Sequence, residues 1–219
     1  MRWIIVGAGA QGQITLELLR AGEPQVEAVF LDDDPRRVGE RVGGVEVVDR
    51  RRLSSLLKRE GSKAVVAIGH NEARLRVAAE LAALGVDFGE VVHPSAVVLA
   101  SAALGAGVVV GPAAVVGFGA RVGDHVLVNT AVVVEHDCVI GAGASLAPGV
   151  KMGGRVTVGD EAFVGVGAVL IPRVTVGAGA IVGAGSVVTR DVPPGVVAYG
   201  VPARAVRRVD PERDWSKLL

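Results

Sequence analysis

The stretch from Val122 to Val158, VGDHVLVNTAVVVEHDCVIGAGASLAPGVKMGGRVTV, carries an aliphatic side chain at every sixth residue: Val122, Val128, Val134, Ile140, Leu146, Met152 and Val158. Followed in both directions, the register holds from Val92 to Val188, seventeen positions without exception. Four places after each anchor stands a small or β-branched residue, as at Val126, Val132, Cys138, Ala144, Val150 and Val156. Glycine often takes the second place, at Gly117, Gly123, Gly141, Gly153 and Gly159 among others. A six-residue period with one aliphatic anchor describes one face of a triangular parallel β-helix, three hexads making an 18-residue coil. Coils stack as parallel strands about 4.8 Å apart, so the repeat predicts a prism on the order of 25 Å tall. Glycine at the corners is expected to supply the backbone freedom that each turn needs.

The rest of the composition follows from that prism. The 219 residues include 31 Gly but only four Phe, two Trp and one Tyr, because a narrow interior built from one aliphatic residue per face has no room for wide rings. Glycine does not recur at every third position and only ten Pro are present, which excludes collagen. With 23 basic and 23 acidic side chains the formal net charge is zero, so nothing points to nucleic acid or an anionic membrane surface as partner. One cysteine, Cys138, allows neither an intramolecular disulfide nor a cysteine zinc cluster, and it reads as an inward small residue. No uncharged apolar run is long enough to span a bilayer without repeated glycines, and MRWIIVGAGAQG lacks a signal-peptide pattern, so a cytoplasmic location is expected.

Charge density divides the chain into an expected α/β unit over 1–91, the β-helix over 92–193 and a polar tail over 194–219. The first holds 27 charged residues, the second 11 and the third 8. The α/β unit alternates strands at Trp3 to Val6, Val26 to Leu31, Val45 to Val48 and Ala64 to Ile68 with helical patterns after Gly12, over Arg51 to Glu60 and over Glu72 to Leu84. That alternation predicts a small parallel, Rossmann-like sheet. Gly7, Gly9 and Gly12 satisfy G-x-G-x-x-G, with Asp32 about 20 residues on, the pattern of a dinucleotide site. By itself this favours NAD, although the unit has only half the size of a full dinucleotide-binding domain.

The repeat breaks its own rule at Asn129 and Glu135, which replace the second-place glycine twice in succession, and His136 follows at once. Such departures are where function is expected. One coil further on, Gly154 stacks on His136 and Arg155 on Asp137. A glycine there is expected to leave room for a substrate and expose a backbone N–H for a developing oxyanion, while Arg155 keeps Asp137 ionised. Imidazole is matched to proton removal near neutral pH, and a neighbouring carboxylate fixes its tautomer, so acyl transfer with His136 as base is the expected chemistry. His125 sits in a regular hexad and reads as structural. His93 reads as an interdomain or capping residue, and His70 stays open.

The hexads resemble the left-handed β-helix acyltransferases, and VGAGAQGQ, FLDDD, AIGHNEAR, VHPSA, NTAVVVEHDCVIG and GVPARAVR together resemble the bacterial sugar acetyltransferases of the PglD, NeuD and PerB group. The resemblance implies the left hand of the helix, a homotrimer with active sites between subunits, acetyl-CoA as co-substrate and a nucleotide-linked amino sugar as acceptor. It makes His136 the general base and Asp137 its assistant. It places Gly9, Ala10, Gln11, Asp32, Asp33 and Gly69 on the nucleotide sugar, and Ser145, Gly154, Val166 and Ala184 on acetyl-CoA. No metal is implied.

GVPAR, Gly200 to Arg204, resembles the tail motif that closes over the cofactor, with Arg204, Arg207 or Arg208 on CoA phosphates or simply solvated. Gln11 and Ser145 stand where family members carry histidine. They keep open O-acetylation of a sialic-acid-like sugar and a non-catalytic trimeric scaffold that binds a nucleotide.

Overall fold

The computed structural model describes residues 2–57 and 61–210. The expected helix over Arg51 to Glu60 therefore lies partly, and the expected tail beyond 210 wholly, outside the described residues. The N-terminal unit opens with β1 (Arg2–Val6), α1 (Ala10–Gly22) and β2 (Glu27–Asp32). A short β3 (Arg41–Val42) and β4 (Val45–Asp49) follow, then a 3-10 turn (Arg50–Arg52), α2 (Leu53–Leu57), β5 (Ser62–Val66) and α3 (Asn71–Ala82). The sheet order is β3-β4-β2-β1-β5, parallel except for the β3–β4 hairpin at its edge. Sequence periodicity misses β3, because two residues carry no period. One face of the sheet packs Ile5, Phe30, Val47 and Val65 against Leu16 and Leu18 of α1. The other packs Ile4, Val29, Leu31 and Val66 against Val77 and Leu81 of α3.

Seventeen two-residue strands, β6 to β22, run from Val91–Val92 to Val187–Val188 and close a left-handed β-helix. Each strand pairs in parallel with the one 18 residues later, as Val115 with Val133 and Val133 with Lys151. The second residue of each pair points inward, and Val116, Val134, Leu146 and Val164 are fully buried. At the N-terminal end the ladder is open: Val92 is exposed, and Val98 and Leu104 are only partly covered, because no coil lies beneath them. The hairpin β23 (Val196–Gly200) and β24 (Ala203–Arg208) extends one face beyond the last coil.

Second-place glycines have a different cause from the one their positions predict. None has a positive φ; a Cβ on Gly123 would stand 2.8 Å from the Ala142 nitrogen, and one on Gly117 2.9 Å from the Val134 oxygen. Their role is to let successive coils approach at the corner. The left-handed backbone falls two places later and is taken by residues with side chains, Ala131 (φ 55°), Asp137 (57°), Arg155 (64°) and Arg173 (68°), as well as by glycines.

The outward residues define three faces. The first presents Val109, Leu127, Ser145, Phe163 and Ile181, and its N-terminal end joins the core of the α/β unit through Val91, Val109 and Leu127. The second is a valine face, with Val97, Val115, Val133, Lys151, Val169 and Val187 in register. The third presents Ala103, Arg121, Val139, Thr157 and Thr175.

Candidate active site

The fingerprint glycines build the first part of the site. Gly7 has φ 101°, and a Cβ on Gly12 would strike the Gly7 carbonyl, so the loop turns tightly and α1 seats directly on it. Gly9 then caps α1 with nothing within 4 Å of its Cβ direction, leaving the helix N-terminus open toward a ligand. A helix start with no acidic residue in its first turn favours an anion there. Asp32 holds this loop in place: Oδ2 accepts from the Ala8 N–H at 2.8 Å, and Oδ1 from the Asp34 N–H at 2.9 Å. Asp33 pairs with Arg50 at 3.2 Å, and Arg50 also meets Glu80.

A continuous cleft of about 1240 Å³ starts at this loop and runs along the first prism face. It is lined by Gly9, Ala10, Gln11, Asp32, Asp33 and Gly69 on one side, and by Ser145, Val166 and Ala184 on the other. Nine of the twelve residues expected at the site therefore share one cavity. Its volume exceeds the roughly 300–1,000 Å³ of a typical single-ligand pocket. Arg207 of β24 lines it too, whereas Arg204 and Arg208 do not. His70 caps α3, its Nδ1 accepting from the Ala73 N–H, and faces the same cleft. Asn129, the first break in the repeat, donates from Nδ2 to the Leu146 carbonyl at 3.0 Å and also lines the cavity.

Ser145, expected on acetyl-CoA, lines the cleft and is also hydrogen-bonded from the α/β unit. Its Oγ donates to Asn71 Oδ1 at 2.7 Å and accepts from Arg74 at 3.1 Å, and the residue is only 3% exposed. The hydroxyl is thus held in an interdomain network. Asn71 and Arg74, at the start of α3, build this network, and the sequence reading did not single them out. Only the segment AIGHNEAR signalled them.

The remaining three expected residues lie elsewhere. His136, Asp137 and Gly154 occupy the corner between the second and third faces, opposite the face that carries the cleft. His136 Nδ1 is 3.0 Å from Asp137 Oδ2, with the two side chains 49% and 42% exposed. The carboxylate fixes the proton on Nδ1 and leaves Nε2 as the acceptor. The hydrogen bond to His136 holds the Asp137 carboxyl below the usual range, and Arg155, with its Nε at 3.5 Å, adds to this. Arg155 is thus the lesser support. A Cβ on Gly154 would coincide with the His136 imidazole, so the space expected for substrate is filled by the His136 ring itself. The glycine makes room for the ring, whose Nε2 is the atom nearest to where that Cβ would stand.

His125 is 7% exposed and meets Phe88 edge-to-face at 4.7 Å between ring centres. Burial pushes its pKa down, Arg74 adds to that, and Asp124 opposes it. It is a structural residue of the domain junction. His93 closes a turn, its Nδ1 accepting from the Ser95 N–H at 3.1 Å.

Comparison with known proteins covers most of the chain. Residues 2–81 match the PglD N-terminal domain, residues 155–190 the bacterial transferase hexapeptide and residues 131–157 the hexapeptide repeat of succinyl-transferase. No curated protein matches by sequence. Among solved structures, PerB from Caulobacter crescentus in complex with CoA and GDP-perosamine is 40% identical, with TM-score 0.87 over 94% of this chain and 97% of that one. The acetyltransferase domain of PglB from Neisseria gonorrhoeae in complex with acetyl coenzyme A is 37% identical, with TM-score 0.87 over 94% and 98%. WeeI from Acinetobacter baumannii is 28% identical, with TM-score 0.84 over 94% and 100%.

Proposed function

The chain belongs to the PglD/PerB-type hexapeptide sugar acetyltransferases, and we propose that it moves the acetyl group of acetyl-CoA onto the amine of a nucleotide-linked amino sugar. The observation that carries this reading is the single cleft that joins a nucleotide-type glycine loop to the prism face, in a chain alike over its length to an enzyme held with CoA and GDP-perosamine. The nucleotide diphosphate lies at the α1 N-terminus, Gly9 to Gln11, with the nucleoside toward Asp32 and Asp33 and the sugar toward Gly69. Acetyl-CoA follows Val166 and Ala184 along the prism. The domain limits expected from charge density assign these tasks: nucleotide sugar to 1–91, acetyl-CoA to 92–193 and closure of the cofactor site to the tail.

His136 of the same chain lies across the prism from this cleft, so one copy cannot complete the reaction. A homotrimer resolves the distance. The valine face is an apolar surface next to the His136 corner, and a second copy packed there brings its cleft to this imidazole. Nε2 removes the proton from the sugar amine as nitrogen bonds to the thioester carbon. The oxyanion forms beside a backbone N–H such as that of Gly154, the C–S bond breaks, and the proton passes from Nε2 to the departing thiolate. The products are the acetamido sugar and free CoA. No helix among the described residues is long and apolar enough to cross a membrane, and we place the reaction in the cytoplasm.

Turnover of acetyl-CoA with GDP-, UDP- and dTDP-linked amino sugars, read by released thiol, tests the assignment. His136→Ala lowers kcat roughly 10²- to 10⁴-fold, the worth of a general base, while calorimetric CoA affinity stays within about threefold. Turnover within a few-fold of wild type removes His136 from the mechanism. A wild-type chain that binds nucleotide but not acetyl-CoA is instead a scaffold.

A further inference from the structure

Arg74 is wholly buried on α3, yet no carboxylate hydrogen-bonds to it. Its Nη1 donates to the Ile68 carbonyl at 2.7 Å and the Gly69 carbonyl at 3.2 Å. Nε donates to the His125 carbonyl at 2.8 Å. Nη2 reaches the Gly143 carbonyl at 2.7 Å, Asn71 Oδ1 at 3.0 Å and Ser145 Oγ at 3.1 Å. Every partner is neutral. Burial pushes the guanidinium pKa down to about 10, opposed by Glu161, so the group remains charged at neutral pH.

A buried cation with only neutral acceptors is costly, and such an arrangement is weak evidence for stability alone. What it does supply is geometry. The planar fork ties the loop after β5 to two successive coils of the prism corner at fixed angles, which the three rotatable donors of a lysine cannot reproduce. Asn71 completes the joint, its Nδ2 donating to the Glu161 carbonyl at 2.9 Å and its Oδ1 accepting from Ser145. The side chain of Leu75, one residue on, fills the place a Cβ on Gly143 would need. Gly69, His70, Asn71 and Ser145 line the cleft directly above this joint.

We infer that Arg74 is a positioning residue: its fork fixes the Ile68 to Asn71 loop on the prism and so sets where the sugar end of the nucleotide-linked substrate meets the acetyl-CoA wall. This rests on the function proposed above for the substrate, but the joint itself is a property of the unliganded protein. The charge beneath the cleft also favours an anionic ligand. The positioning role requires the fork and not merely the charge.

Two measurements on the full chain decide it. In hydrogen exchange without ligand, Arg74→Lys and Arg74→Met both lose protection over residues 67–73 and 141–146 while the coils from 150 to 188 keep theirs. In steady-state kinetics with GDP-perosamine, both variants raise the sugar KM by about tenfold or more, with the acetyl-CoA KM within about twofold. Ser145→Ala, a milder variant, raises the sugar KM by about threefold and has no further effect on top of Arg74→Met.

Unchanged exchange in the loop overturns the inference, as does Lys restoring the wild-type KM or the two KM values rising in parallel. If the wild-type chain turns over no nucleotide-linked amino sugar, the proposed function fails and the exchange data still judge the joint.

Discussion

Two corners of the prism each carry a histidine beside a left-handed backbone position, and they have opposite chemistry. At the corner under the α/β unit, His125 itself adopts φ 55°, is buried against Phe88, and leaves Nδ1 without a hydrogen-bond partner. At the far corner the left-handed residue is Asp137, φ 57°, which turns its carboxylate back onto His136. The corners are built alike by the repeat, with His125 at the hexad place that Asp137 takes and His136 one place earlier. What differs is the cover: α3 and Phe88 desolvate His125 and keep it neutral, while His136 stays half-exposed with a carboxylate to fix its tautomer. Glycine faces both rings, Gly107 at His125 and Gly154 at His136, so the cover and the neighbouring carboxylate are what set the exposed corner histidine apart.

That contrast can be broken most severely at Gly154. A methyl group there takes the place of the imidazole, and Gly154→Ala lowers kcat by roughly 100-fold through misplacement of the base, with the melting temperature held within a few degrees. Intact turnover would mean that the ring position is immaterial. Asp137→Asn is expected to do less, roughly 10- to 50-fold in kcat, because this exposed pair lacks the strict burial of a serine-protease triad. The pH–rate profile also shifts, since the carboxylate held below its usual range is gone from beside the imidazole. An unchanged profile would detach Asp137 from the proton transfer.

The smallest change is at His125, where Asn tolerates the left-handed backbone. His125→Asn costs about 1 kcal/mol of stability with the loss of the Phe88 contact, and kcat stays within about threefold. The pH effect has a definite sign. The folded pKa is depressed, so this residue's contribution is present above the unfolded value of about 6.5 and is lost as pH falls below it. Wild type should therefore lose more melting temperature between pH 7 and 5 than His125→Asn does, with Asp124 and Arg74 as the charged groups nearby. Equal losses would show that His125 is not the titrating group.

The prism was legible because six-residue spacing is a local property that stacking simply repeats. His136, Asp137 and Gly154 were legible as breaks or partners within that spacing, as an 18-residue coil fixes which residues stack. Arg74 and Asn71 were not. Their acceptors on the prism lie 51 to 91 residues away in the chain, and an arginine in a helical pattern ordinarily faces water. The hydrogen bonds of Ser145 to Asn71 and Arg74 were not legible for the same reason.

The sequence by itself determined the coil, its core, the glycine turn that starts α1 and the break at Asn129 and Glu135 that precedes His136, since each follows from neighbours along the chain or from a fixed period. Only the tertiary structure decided that the glycines serve coil contact, and that a buried cation locks the two domains. It alone also set His136 and the cleft of one chain on opposite sides of the prism. Those outcomes depend on which surface covers which, and burial across distant segments is written in no local pattern.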